Sequence, residues 1–186
     1  MFEEINSRGE EYLKAHKIET LKVPKEIPQV KLAEIKKIIK EKYNYEIPET
    51  TDIDPEGERI AGRWASEEHD SDFLFITHYP WSDRPFYTMP CQENPKETCG
   101  FDLLYKGLEI ATGGQRIHLY DELLKNMEKK KIKSEGMEYY LDIFKFGMPP
   151  HGGWGMGSER MIQQMLGLKS VKEAILFTRD MKRLSP

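Results

Sequence analysis

The 186-residue sequence has only two cysteines, no long apolar run and no excess of positive charge. A membrane-spanning helix needs about 20 apolar residues in succession, and no stretch approaches that. A signal peptide opens basic and turns apolar, whereas MFEEINSRGEEYLK is acidic and polar, so the chain reads as cytosolic. Lys and Arg number 28 against 32 Asp and Glu, for a net charge of -4. That mixture has no basic excess with which to grip nucleic acid, so an RNA partner would be held mostly by something else. Cys91 and Cys99 lie eight apart in a polar loop, match no common zinc pattern and read as reduced thiols, with a disulfide as the alternative, and no cofactor follows from them. Internal repeats and low-complexity segments are also absent. What is present is 38% apolar residues, enough for the core of one domain.

Periodicity and punctuation divide the chain. Residues 1–16 read as a helix of mixed charge, followed by LKVPKEIPQV, where Pro24 and Pro28 forbid regular helix and suggest an extended connector. In KLAEIKKIIKEKY, Leu32, Ile35, Ile38, Ile39 and Tyr43 share one helical face. A second helix opens at Asp54, a capping residue with Pro55 in the first turn, and runs through Ile60, Ala61, Trp64 and Ala65. FLFITHYP, FDLLYKG and LEIATGGQRIH read as strands, with Gly107 turning the chain between the last two. Helices come next at about 119–132 and from Glu135, the latter burying Met137, Tyr140, Leu141 and Phe144 before Gly147. Lys129 to Lys131 read as a solvated helix end, with a phosphate patch as the alternative. HGGWGMGSERMIQQML is a glycine-rich strand entering a helix, and Ser170 with Glu173 forms a capping box for a last short helix.

Three charged residues, Glu109, Arg116 and Arg160, stand in apolar surroundings, where a charge is costly unless it is paired or faces a ligand. Glu109 and Thr112 could supply oxygen ligands to magnesium; the alternative is that Glu109 pairs with Arg116 on an exposed sheet. Arg116 suits a carboxylate through two parallel hydrogen bonds, or else makes a structural ion pair. Arg160 could stack on a purine or bind phosphates, or be an ordinary first-turn arginine. Gly113 and Gly114, then Gly152, Gly153, Gly155 and Gly157, mark places where a ligand or another backbone comes close. His78, His118 and His151 fit no metal triad and read as satisfied structural histidines.

The motifs FLFITHYP, RPFYTMP, FDLLYKGLEI, GGQRIH, PPHGGWGMGSERM and ILFTRD, in that order, resemble the archaeal and eukaryotic type of aspartyl-tRNA synthetase, a class II enzyme. The resemblance covers residues 54–186 strongly and residues 1–53 more loosely, as a helical lead-in and connector. It implies an α+β fold, an antiparallel sheet flanked by helices, corresponding to the closing half of the class II catalytic domain with its motif 3. It further implies that Glu109 and Thr112 hold Mg²⁺, with Glu109 also serving ATP and Thr112 also near aspartate. Arg116 is expected to bind the aspartate side chain, and Gly157, Ser158, Glu159 and Arg160 to bind ATP. The implied partners are ATP, L-aspartate and, through a complete enzyme, tRNA.

Departures accompany the match. No anticodon-binding barrel, no motif 1 and no motif 2 with its α-phosphate arginine is found. Thr178 replaces a usual proline, Ser158 a usual apolar residue, and His78 an acidic residue typical of aspartyl enzymes, a feature similar to the asparaginyl branch. The reading is therefore a synthetase fragment, truncated or split, in the latter case with a protein partner carrying motifs 1 and 2. As an isolated chain it is not expected to charge tRNA. The alternatives are a non-charging paralogue that binds a nucleotide, an amino acid or a synthetase, and a small amide ligase such as an asparagine synthetase.

Overall fold

The computed structural model describes residues 2–19, 21–22, 24–48 and 52–184. Met1, at the head of the expected first helix, and Val23 of the connector lie outside them. The expected first helix is two short ones, α1 (Phe2–Arg8) and α2 (Glu10–Ala15). They break at Gly9, where a Cβ would stand 2.7 Å from the Ile5 carbonyl oxygen. The connector holds a three-residue strand, β1 (Gln29–Lys31), too short to show any periodicity. Next come α3 (Leu32–Tyr43) and α4 (Pro55–His69), the latter opened by Asp54, whose carboxylate accepts a hydrogen bond from Gly57 N. Strands β2 (Phe73–Thr77), β3 (Gly100–Tyr105) and β4 (Leu108–Arg116) come after them, then α5 (Tyr120–Lys129) and α6 (Glu138–Lys145). Strand β5 (His151–Met156) runs into α7 (Ser158–Leu166), and a 3₁₀ turn at Val171–Ala174 carries the expected capping box.

The five strands form one sheet in the order β1-β2-β3-β4-β5. β1 pairs with β2 in parallel, and the other neighbours are antiparallel. Alternation along the strands sends Leu74, Ile76 and Leu104 to one face, where they pack against Ile35, Ile39, Ile60 and Ala61 of α3 and α4. Phe73, Tyr105 and Ile110 go to the other face and meet Met161 and Met165 of α7. A third apolar cluster joins α5, α6 and Ile117, just past the end of β4. Lys130 is not the solvated helix end expected of it: its Nζ donates to the carbonyls of Trp81 and Ser82 and lies 4.2 Å from the Trp81 ring centroid.

Strand β4 has two irregular features, one at its entry and one within its ladder. The β3–β4 turn carries Gly107 at φ 74°, and a Cβ there would stand 2.8 Å from Arg59 Cα, so turn and helix α4 touch backbone to backbone. The ladder also slips by one residue: Leu104 pairs with Glu109 but Leu103 with Ala111, leaving Ile110 as a bulge. In a regular strand, residues three apart face opposite sides. The bulge reverses that, so Glu109 and Thr112 share one face with Asp102.

Candidate active site

On that face, at the β3–β4–β5 end of the sheet, a cavity of about 380 Å³ is lined by Arg84, Tyr87, Thr112, Arg116, Gly153 and Trp154, among others. Arg116 ends β4 opposite His151, and its guanidinium lies 5.3 Å from the Tyr87 ring centroid. Among the described residues, no carboxylate makes a salt bridge with it. A Cβ on Gly153 would stand 2.7 Å from Arg116 Nη2 and 3.0 Å from its Cζ, so the bare glycine is what lets the guanidinium lie against β5. Glu109 does not pair with Arg116. Its carboxylate is 3.6 Å from Arg160 Nη1, which also donates to the Glu109 carbonyl at 2.9 Å.

Sequence reasoning assigns no role to Arg84, Asp102 or Glu58. Arg84 donates to Thr112 Oγ1 at 2.9 Å and to Asp102 Oδ2 at 2.7 Å, with its guanidinium 3.7 Å from the Tyr79 ring centroid. The Arg84–Asp102 pair is largely buried, with side chains 14% and 9% exposed. Glu58, from the first turn of α4, accepts a hydrogen bond from Glu109 N at 3.2 Å. Burial raises the Glu109 pKa and the charge of Asp102 adds to it, outweighing Arg160 and Arg84. Burial also raises Glu58, with the Glu109 charge contributing and the hydrogen bond from Glu109 N opposing. The signal that could have found Arg84 is its place in RPFYTMP, a loop segment without strand-like surroundings.

The glycine-rich approach to α7 is only partly drawn in. Gly157 N donates to Ile110 O at 2.8 Å and Arg160 reaches Glu109, but Ser158 bonds its neighbour Glu159, and among the described residues neither makes a hydrogen bond or ion pair with Glu109, Thr112 or Arg116. His151 Nδ1 lies 3.0 Å from the Pro149 carbonyl and His78 Nδ1 lies 2.9 Å from Thr77 Oγ1, while His118 Nδ1 is buried without a partner among the described residues. His118 thus departs from the expected satisfied histidine. Among the described residues, no helix is long and apolar enough to cross a membrane.

Comparison with known proteins decides the family. The tRNA synthetases of class II (D, K and N) match residues 1–181. The chain belongs to the class II tRNA synthetases. Within this group, the aspartate–tRNA(Asp/Asn) ligase of Aeropyrum pernix is 47% identical over 179 residues, which is 96% of this chain and 40% of that protein. The corresponding ligase of Thermus thermophilus is 49% identical over 88% of this chain and 38% of its own length. Among solved synthetase structures, an aspartyl-tRNA synthetase from Entamoeba histolytica superposes with a TM-score of 0.91 at 29% identity, covering 100% of this chain and 39% of its own. The asparaginyl-tRNA synthetase of the same organism, in complex with asparaginyl-adenylate, gives 0.84 at 27% identity, covering 98% and 41%. This class II chain therefore spans about two fifths of the length of these relatives.

Proposed function

We propose that the chain contributes the aspartate pocket and the magnesium–ATP ligands of a cytoplasmic aspartyl-tRNA synthetase. The observation that carries this reading is Arg116, a guanidinium in a cavity with no carboxylate paired to it among the described residues and with room made by Gly153. Its parallel N–H groups suit the side-chain carboxylate of aspartate. The residues present also fit magnesium. Glu109 and Thr112 offer hard oxygen donors on one face, and Glu109, desolvated and crowded by Asp102, gains from a nearby cation. When bound, the ion would compensate phosphate charge.

In the proposed reaction the α-carboxylate of aspartate attacks the α-phosphorus of ATP, pyrophosphate leaves, and the aspartyl group then passes to tRNA. A carboxylate is ionised at neutral pH, so the nucleophile needs no base. The residues here orient and balance charge: Arg116 holds aspartate, Arg84 fixes Thr112 at the pocket wall, and Arg160 bears on the nucleotide. With a net charge of -4, engagement of tRNA falls to the rest of a complete enzyme or to a partner bearing motifs 1 and 2.

Calorimetry tests the pocket. Aspartate should bind the chain more tightly than asparagine, and Arg116→Lys, which keeps the charge but loses the paired hydrogen bonds, should weaken aspartate binding on the order of tenfold, about 1.4 kcal/mol. Equal binding of aspartate by the two proteins, or no preference for aspartate over asparagine, would reject the assignment of Arg116.

A further inference from the structure

The two cysteines meet although seven residues lie between them. Residues 89–99 fold back on themselves: Cys91 N donates to Glu97 O and Cys99 N to Met89 O, both at 2.9 Å, and Pro90 bridges Thr98. The thiols end 3.4 Å apart, both free, with Cys91 buried and Cys99 half-buried. Both line a cavity of about 500 Å³, whose rim includes the exposed side chains of Gln92, Glu93 and Asn94, so a small solute can reach the sulfurs. The hairpin is also wired to β4, because Gln115 N donates to Cys99 O and Met89 N to Gln115 O, each at 3.0 Å.

We propose that Cys91 and Cys99 are a modification site, a dithiol that a small disulfide of the glutathione disulfide class converts to an intramolecular disulfide. The Cys99 thiolate attacks one sulfur of the small disulfide, whose S–S bond breaks and releases one small thiolate. Cys91 then gives its proton to solvent and attacks Cys99 Sγ, forming the Cys91–Cys99 bond and expelling the second small thiolate. The protein loses two protons and two electrons, and the small disulfide takes them up to become two thiols. Cys99 takes the first step because it is the more accessible; burial and the hydrogen bond with Cys99 push the Cys91 thiol up to about 12, which suits it less to initial attack. From 3.4 Å the sulfurs need only a small approach to reach the bond length of about 2.05 Å.

The site is independent of the proposed synthetase role and is tested on the chain alone. Dilute protein is incubated with glutathione disulfide, quenched with an alkylating reagent and weighed by mass spectrometry. The expected product is lighter by two hydrogens and takes up no alkyl group. Trypsin cuts after Lys96, which lies between the cysteines, so a non-reducing digest should show two peptides held together by sulfur. Cys91→Ser should instead accumulate the glutathione adduct on Cys99, about tenfold or more above its level in the wild type, because the resolving thiol held beside it is gone, whereas Cys99→Ser, left with the buried thiol, should take up little. Wild-type chains that end with glutathione on one or both cysteines, that link between molecules, or that keep both thiols free would overturn the proposal. If a serine variant fails to fold, the wild-type mass and peptide map decide alone.

Discussion

A methyl group at position 153 would press first on the Arg116 guanidinium, so Gly153→Ala is a small way to displace it. The expected outcome is weakened aspartate binding by calorimetry with an unchanged circular dichroism spectrum; undiminished affinity would show that Arg116 does not hold the ligand. Glu109 carries a different prediction. Its folded pKa is raised, so ionising it opposes folding: its contribution to stability is fully present below the ordinary carboxylate range and is lost as pH rises through the folded value. Glu109→Gln should therefore raise the melting temperature at neutral pH, with the gain narrowing as the pH falls, and should abolish the strengthening of ATP binding by magnesium. A melting temperature at pH 7 that drops instead would mean that the Arg160 contact outweighs the burial. Glu109, Arg116 and Arg160 were legible in the sequence because charge in apolar surroundings needs a reason, while the roles proposed for them, and the choice of Thr112, come from the motif resemblance. Arg84 was not, because its partner Asp102 is 18 residues away and only the folded sheet brings them together.

At the scale of elements, caps and periodicity read the long helices well. Asp54 before Pro55 marked the start of α4, and the apolar face of α3 is the face that is buried. The failures have physical causes: β1 is three residues long, α1 and α2 part at a glycine that favours neither state strongly, and Lys130 is held by carbonyls almost 50 residues away. The contact of Gly107 with α4 gives a testable element-level statement. Gly107→Ala combines a positive φ with a Cβ 2.8 Å from Arg59 Cα, so it should destabilise the fold by roughly 1–3 kcal/mol, visible in chemical denaturation. Because α4 also carries Glu58 to the Glu109 amide, the same variant should weaken ATP binding beyond what its lost stability explains. An unaltered denaturation midpoint would show that helix and turn can part without cost.

For the whole molecule, the motif resemblance implies that the 186 residues lack the motif 2 arginine for the α-phosphate, and the loss of one such stabiliser costs on the order of 10²- to 10³-fold in rate. The purified chain should therefore fail to charge tRNA with aspartate, and a second polypeptide bearing motifs 1 and 2 should restore charging; robust charging by the chain alone would refute this. The class II fold was legible as an ordered series of motifs, but the slip in β4 was not, since LEIAT looks like any apolar strand. That slip also fastens things together. The two carbonyls at the bulge, of Glu109 and Ile110, accept hydrogen bonds from Arg160 and from Gly157 at the head of α7. A plain strand with its glutamate and threonine two residues apart would show both to one side just as well. Such a strand would keep both side chains on one face yet lose this joint, so the odd residue is what moors α7 to β4.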